Sequence, residues 1–364
     1  MTRRFGLLVA VPLTAVHVNF LPTLRRSSSV ARPVFGRKAS AKSSGAPAAP
    51  TTGSRRSLSG RYKEKLKPLE KETAGRFVDT HCHLDKVIPR LSRQSHEDAR
   101  RAKAKGLAPP RQMNASYKEW RDSLEGSEND LEACVNIGCQ KADLEQAASF
   151  LKYDGIYGAF GIHPLHAHDW DDEVEKKLLA MMTMQKVVAW GECGLDYFDK
   201  KTRGQVKDPK LRGLQRKVFA KQMDLAVSLK KPLVVHTRFA EEDTLELMEK
   251  HLPTEHPVHV HCFTSSNTLA QALLERFSSL RLGFTGVVTF KNAPEVQEVV
   301  RNTPLERILL ETDSPYMAPE PFRGRIAHPG HVSYVADKIA SLKGVSRAEV
   351  LATCRKSTRL IYGI

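Results

Sequence analysis

The feature that most restricts the fold of this chain is a repeat of element type. From about Arg76 onward eight short β-branched runs follow one another: RFVDTHCHL, EACVNIGC, IYGAFGIHP, KVVAWGECGLDYF, KPLVVHTR, PVHVHCF, LRLGFTGVV and ERILLETDSP. Between them lie stretches with helical periodicity, such as LRGLQRKVFAKQMDLAVSLK at 211–230. Strand–helix alternation builds parallel sheets, and eight such units close into an α/β fold of the TIM-type (β/α)8 kind. A doubly wound open sheet would need a Gly-rich phosphate turn after its first strand, where this chain has HCHLDK.

The barrel is expected over 76–364 with one irregularity, the segment 86–130 between the first two strands. That segment is dense in charge (ARRAKAKGLAPPRQ) and broken by Pro109-Pro110, which suggests a helical excursion at the rim of the barrel. Either a solvated surface insertion or a substrate-contacting one fits it.

Charge sets the N-terminal boundary. Residues 1–63 hold twelve Lys and Arg and no Asp or Glu, leaving 45 of the 57 basic residues against 41 acidic ones in the remainder. A nearly balanced body argues against broad electrostatic capture of duplex DNA and favours a short or single-stranded substrate entering a mouth. The Arg-, Ser- and Ala-rich, acid-free tail has the composition of a transit peptide and is expected to stay outside the fold as a disordered targeting segment. Organellar import, with the mitochondrion first and the plastid as an alternative, is the reading, with secretion or a retained basic arm also open. Its apolar stretch Leu7 to Val16 is too short to span a bilayer, so no integral membrane span is expected. Six cysteines without a CxxC pair suit a reducing compartment.

Chemistry gathers at the ends of the runs, where barrels of this kind place it. His81 and His83 lie two apart on one strand and so share a face, while Cys82 points the other way. Glu192, His236, His261 and Asp313 close four later runs. Singly, each suits a hydrogen-bonded polar cap. Together, four imidazoles and two carboxylates converging on one rim call for divalent cations.

One ion would take His81, His83, Glu192 and Asp313 and the other Glu192, His236 and His261, with Glu192 as the bridge. Two divalent metal ions are expected, Mg²⁺, Mn²⁺ or Zn²⁺, with the mixed donor set favouring the softer ones over Mg²⁺. Such a pair suits hydrolysis by in-line displacement at phosphorus, with Asp313 as general base. His163 is placed to reach a phosphate or leaving group without binding metal, or else to act as a structural cap. His259 has the parity of His261 but sits one layer deeper, as an interior residue. Cys193 and Cys262 have the opposite parity and are expected to pack against helices. Arg238, Arg323 and Arg325 follow strand ends and could neutralise phosphates.

The ordered motifs DTHCHLD, GIHP, GECGLDY, VVHTR, VHCFT, GFTGVVTFKNA and ETDSPYMAP resemble the TatD family of metal-dependent deoxyribonucleases, over roughly Phe77 to the C-terminus. The resemblance implies a TIM-type barrel, a divalent-metal site and phosphodiester hydrolysis of DNA, as a 3′–5′ exonuclease preferring single strands or ends, in repair or degradation. It places His81, His83, Glu192, His236, His261 and Asp313 on metal-ligand positions and His163 on the non-ligand histidine near the scissile phosphate. Two departures bear on substrate contacts. Ser265 stands where the family has a glycine after HCF, and FRGRIAHPGH replaces the arginine-asparagine motif after ETDSPY, with Arg323 and His328 as candidate substitutes. An amidohydrolase or esterase, for example on an aminoacyl ester, is the alternative chemistry, and a non-catalytic metal-braced scaffold the alternative class.

Overall fold

The computed structural model describes residues 75–364 apart from 111 and 115. The tail at 1–63 lies outside the described residues. Each of the eight runs contains a strand: β1 (Phe77–Cys82), β2 (Leu131–Gly138), β3 (Ile156–Phe160), β4 (Val187–Asp196), β7 (Leu233–Arg238), β8 (Val258–Val260), β9 (Leu280–Phe284) and β10 (Ile308–Leu310). All neighbours are parallel, in the order β1-β2-β3-β4-β7-β8-β9-β10. A small antiparallel pair, β5 (Phe198–Asp199) and β6 (Gly204–Gln205), follows β4.

The ring is nearly closed between β10 and β1, at a seam made mostly of single bonds. The one backbone bridge there joins Cys82 to Ser314. Around it, Asp313 N donates to His81 O (2.9 Å), His83 N to Ser314 O (2.9 Å) and Thr80 Oγ1 to Leu310 O (3.0 Å). Asp79, fully buried, accepts from Thr312 N (3.0 Å), Thr312 Oγ1 (2.5 Å) and His81 N (3.2 Å). The seam therefore runs directly beneath His81, His83 and Asp313.

The strands divide the core into two layers, with register shifts in β1 and β4 changing which alternate positions face out. Phe77, Cys82, Trp190, Cys193 and Val260 face outward into the large cluster shared with the helices. Val135, Ile137, Ala159, Ala189, Val234 and Leu309 face inward and are plugged from below by Ile361 and Tyr362 at the end of the last helix. Cys82 and Cys193 thus pack as expected. Cys262 does not: β8 stops at Val260, Cys262 takes a left-handed backbone (φ 43), and its half-buried Sγ lies 3.8 Å from Thr285 Oγ1. Beyond a strand end, parity no longer determines direction.

The connections after β1 and β4 matter most for the site. The segment 86–130 is largely helical, with α1 (Leu84–Ala104), α2 (Tyr117–Asp122) and a 3-10 turn at Gly126–Asp130. It is not merely a solvated loop, because Val87, Ile88, Trp120 and Leu124 are buried in the main cluster. Later come α3 (Leu144–Ala148), α4 (Asp172–Met181) and α5 (Pro209–Ser228). The last begins two residues before the apolar periodicity, because Asp208 caps it by accepting from Lys210 N and Pro209 fits the first turn. The remaining helices are α6 (Glu241–His251), α7 (Asn267–Arg276), α8 (Pro294–Asn302), α9 (Val332–Lys343) and α10 (Arg347–Tyr362). No helix among the described residues is long and apolar enough to cross a membrane.

Candidate metal centre

Four strands and the loop after β10 bring the six expected ligand residues to one end of the barrel. The two carboxylate oxygens of Glu192, itself 3% exposed, face different histidines. Its Oε2 lies 3.5 Å from His81 Nε2 and 4.0 Å from His83 Nε2. Its Oε1 lies 2.7 Å from His261 Nε2 and 3.0 Å from His236 Nδ1. Asp313 joins the first side, with Oδ1 3.7 Å from His81 Nε2 and 3.5 Å from His83 Nε2. The His81 and His261 rings stack at 3.9 Å, so the two groups touch.

Local backbone makes these positions possible. A Cβ on Gly194, whose φ is +147, would sit 1.9 Å from His236 O, so only glycine lets β4 and β7 approach between Glu192 and Asp196. Asp313 is itself left-handed (φ 50), a conformation Asp tolerates better than most residues, and its N–H bond to His81 O holds it there.

The donor set fits divalent metal. Two ligands of one zinc-like ion, each about 2.1 Å from it, stand roughly 3–3.5 Å apart, and the His236, His261 and Glu192 atoms are separated by 2.7–3.1 Å. Both ring nitrogens of His81 and Nδ1 of His261 are buried without a hydrogen-bond partner. His81, His83 and Asp313 offer atoms all within 4.8 Å of one another, as do His163, Glu192 and His236.

Electrostatics point the same way. Burial drives His81 down to about 3, leaving a neutral ring. Burial also works against ionised Glu192, yet the neighbouring histidines outweigh it and hold the carboxyl well below its usual range. Asp313 is likewise held low by His83, His81 and His261 against the cost of burial. His236 is raised to about 10, the carboxylates of Asp196 and Glu192 overcoming its burial. The result is two ionised carboxylates facing a neutral His81 and three rings, His83, His236 and His261, that the carboxylates hold above their ordinary value, so divalent cations would take the place of protons there.

His163 sits on the second side, with Nε2 3.5 Å from Glu192 Oε1. Its Nδ1 accepts from Leu165 N at 3.1 Å, so the ring proton of the neutral form must be on Nε2, and burial keeps it neutral with a pKa near 3. A protonated Nε2 is a donor aimed at the centre rather than a ligand.

The three arginines have other partners. Arg238 lies over the Phe198 ring (3.9 Å) and Arg323 over Phe290 (4.3 Å), while Arg325 is engaged by Asp98 at 2.7 Å. His328 is half-buried against Glu128 and His331 within the 86–130 segment's surroundings, in place of an open phosphate contact.

Several residues that position the centre escaped the sequence reading. Asp196 Oδ2 stands 3.4 Å from His236 Nε2, behind the ring, and shares strand parity with Glu192, a signal that was available. Gln215 and Gln222, seven apart on one face of α5, hold two strand ends. Gln215 bonds both N and O of Asp196 (2.9 and 3.0 Å), and Gln222 bonds both N and O of Ile162 (2.8 and 3.0 Å), next to His163. Beneath His261, Glu311 accepts from Cys262 N, and its Oε2 lies 2.8 Å from His259 Nε2. His259 Nδ1 in turn lies 2.6 Å from Tyr362 Oη, so His259 is an interior hydrogen-bonded residue. Burial raises Glu311 to about 8.

The family model described as TatD related DNase matches residues 78–363. The human 3′-5′ RNA nuclease TATDN2 is 36% identical over 302 residues, covering 81% of this chain and 36% of its own length, so the chain spans about a third of that relative. The metal-dependent hydrolase YcfH of Escherichia coli K12 is 32% identical over 276 residues, covering 75% of this chain and 91% of its own. Among solved structures, the TatD homologue YJJV of Escherichia coli K12 superposes with a TM-score of 0.63 at 23% identity, over 80% of this chain and 99% of that one. That likeness is one of fold.

Proposed function

Because this chain belongs to the TatD-related family of metal-dependent hydrolases, we propose that it removes nucleotides from the 3′ ends of single-stranded nucleic acid, DNA first, using two divalent ions. The observation that carries the proposal is the split of Glu192, with Oε2 toward His81 and His83 and Oε1 toward His236 and His261. One carboxylate serving two imidazole groups is the arrangement a bridged pair requires.

Bound divalent cations supply Lewis-acid charge for a phosphoryl oxygen and make water a competent nucleophile at neutral pH. The chain's own residues do the rest. Asp313, ionised and 14% exposed at its side chain, accepts the proton of the attacking water. His163 offers its Nε2 proton to a non-bridging or leaving oxygen. Asp196 and Gln215 hold the His236 side, and Gln222 holds the loop that carries His163.

Single strands are favoured by the rim. Arg238 over Phe198, Arg323 over Phe290 and Arg90 over Tyr316 form three arginine–aromatic pairs on or beside loops at the mouth. The arginine faces of such pairs stack on exposed bases and neutralise phosphates without reading sequence, Phe290 itself being buried beneath Arg323. RNA is a second reading, favoured by the name of the human relative, a 3′-5′ RNA nuclease. Import into the mitochondrion belongs to the same proposal, resting on the composition of residues 1–63. A fluorescent protein carrying those residues tests it by its destination.

The activity test uses metal-stripped protein refilled with Mg²⁺, Mn²⁺ or Zn²⁺ and 5′-labelled single-stranded DNA, duplex DNA and single-stranded RNA. A ladder shortening from the 3′ end, absent with Asp313→Asn, is expected, and the strand type degraded faster decides between DNA and RNA. Intact nucleic acid with every metal, alongside turnover of an ester or amide, refutes the proposal.

A further inference from the structure

The 86–130 segment and the loop after β10 enclose a second set of metal-type side chains, sharing no residue with the Glu192 centre. Glu128 comes from the 3-10 turn at Gly126–Asp130, and His328 and His331 flank Pro329-Gly330. One carboxylate oxygen of Glu128 and one nitrogen of each ring lie within 4.8 Å of one another, with His328 Nε2 3.7 Å from Glu128 Oε2. The two rings lie 3.9 Å apart, centre to centre.

Three further observations point to a ligand. His331 is only 2% exposed, and its Nδ1, like the buried Nδ1 of His328, has no hydrogen-bond partner. Burial keeps both rings neutral, His328 well below its ordinary pKa and His331 near 4, so neither supplies a counter-charge to Glu128, which burial itself raises and which takes a hydrogen bond from Tyr334 rather than a cation. Arg325, which lines the adjoining cavity, already pairs with Asp98. The close approach is also built in: a Cβ on Gly330 would fall 2.9 Å from Glu128 Cβ and 3.1 Å from His328 Cε1, so glycine permits the three to meet. The adjoining cavity, about 280 Å³ and lined by Trp120, Met113, Asp98, Glu128 and His328, has room for a water to complete a fourth coordination position.

We propose that Glu128, His328 and His331 bind a divalent cation of the zinc class, independent of the Glu192 centre, and that this ion fastens the 86–130 segment to the loop after β10. Two imidazoles and one carboxylate favour Zn²⁺ over Mg²⁺ or Ca²⁺, which prefer all-oxygen sites. The ion spans parts of the chain about 200 residues apart in sequence, which Arg325 and Asp98 also join at 2.7 Å.

The test counts zinc on the full chain, stripped, exposed to Zn²⁺ alone and desalted, for the parent and for Glu128→Gln and His331→Gln. Each variant is expected to hold one zinc fewer per chain, and its 86–130 segment to be cut faster by a protease while the barrel stays intact. Zinc content equal to the parent's in both variants overturns the proposal. A second titration covers the case in which these variants do not fold. With His81→Ala and His236→Ala to disable the rim centre, Co²⁺ must still fill one site with visible ligand-field bands, and no retained equivalent overturns the proposal. Neither readout depends on nuclease activity, so this proposal and the one above fail separately.

Discussion

Replacing Asp79 tests whether the barrel is closed by one side chain. Its carboxylate is fully buried and accepts three hydrogen bonds, from Thr312 N, Thr312 Oγ1 and His81 N. Asp79→Ala leaves two backbone N–H groups and the Thr312 hydroxyl proton buried without acceptors and opens a small void, while Thr312 Oγ1 still accepts from Ser314 N (3.1 Å). Each orphaned group costs about 1–3 kcal/mol, but the hydroxyl can turn elsewhere, so the sum comes to about 3–5 kcal/mol.

Asp79→Asn behaves differently. The amide oxygen still accepts from Thr312 N and His81 N, which both use Oδ1, and the amide nitrogen can donate to Thr312 Oγ1. Its cost is therefore about 1 kcal/mol. At about 2–4 °C per kcal/mol, the Ala variant should melt about 6–20 °C below the parent and the Asn variant within a few degrees of it. Urea titration of the stripped protein gives the same comparison free of metal. Thr312→Val in the Asp79→Ala background should add only the loss of the Ser314 N bond, about 1–3 kcal/mol, since its bond to Asp79 is already gone. An Ala variant within about 1 kcal/mol of the parent, or an Asn variant as unstable as Ala, refutes the account of the seam.

Three other expectations follow from the centre and the outer wall. Asp196→Asn should weaken metal binding about 10–100-fold by loosening His236, with turnover at saturating metal nearly unchanged; activity against metal concentration separates the two. His163→Ala should lower kcat about 10²–10³-fold at unchanged metal content, measured by elemental analysis beside the rate. Glu132 makes two bonds to Arg355 (2.8 and 2.9 Å), which hold its carboxyl below the usual value near 4.5. A lowered carboxylate stabilises the fold above its unfolded pKa and loses that contribution as pH falls through the folded one. The parent should therefore exceed Glu132→Gln in stability at neutral pH and lose the advantage below about pH 4, as urea midpoints across pH would show.

The sequence made the ring of strands legible because each run is short, apolar and bounded by turn residues. It made the six rim residues legible because each stands at or just past the end of an apolar run, and alternation over two residues is enough to put His81 and His83 on one face, although register shifts in β1 and β4 break it over longer spans. Parity failed where strands ended, as at Cys262, and its reach was not used to the full, since Glu192 and Asp196 obey the same rule as the His81 and His83 pair. Other features carry no local signal. Asp79 and Thr312 are 233 positions apart, and nothing near either says that they meet. Gln215 and Gln222 look like ordinary polar positions on an amphipathic helix, yet both are buried and hold the strand ends that carry Asp196 and His163.

These hidden residues explain how the rim tolerates its own charge. Glu192, Asp313, Asp196 and Glu311 are four carboxylates in one buried neighbourhood, and each has a separate means of staying there. Glu192 and Asp313 are held ionised by the rings they face, Asp196 lies beside His236 and accepts from Phe198 N, and Glu311 is lifted toward neutrality against His259. A single ion on His81 and His83 would leave the Oε1 side of Glu192 with only imidazoles, one of them, His236, carrying a proton that a second ion must displace. The two sides of the centre are therefore unequal before any metal binds. The side of His81, with a neutral ring whose nitrogens have no partner, should fill first and the His236 side second, both at a cost that falls as pH rises, because Asp313 raises His83 on the first side against its burial as Asp196 and Glu192 raise His236 on the second. Metal titrations at two pH values should show both affinities improving with pH, that of the His236 side the more steeply; a His236-side affinity that does not change with pH would mean that the Asp196 and His236 pair does not hold its proton.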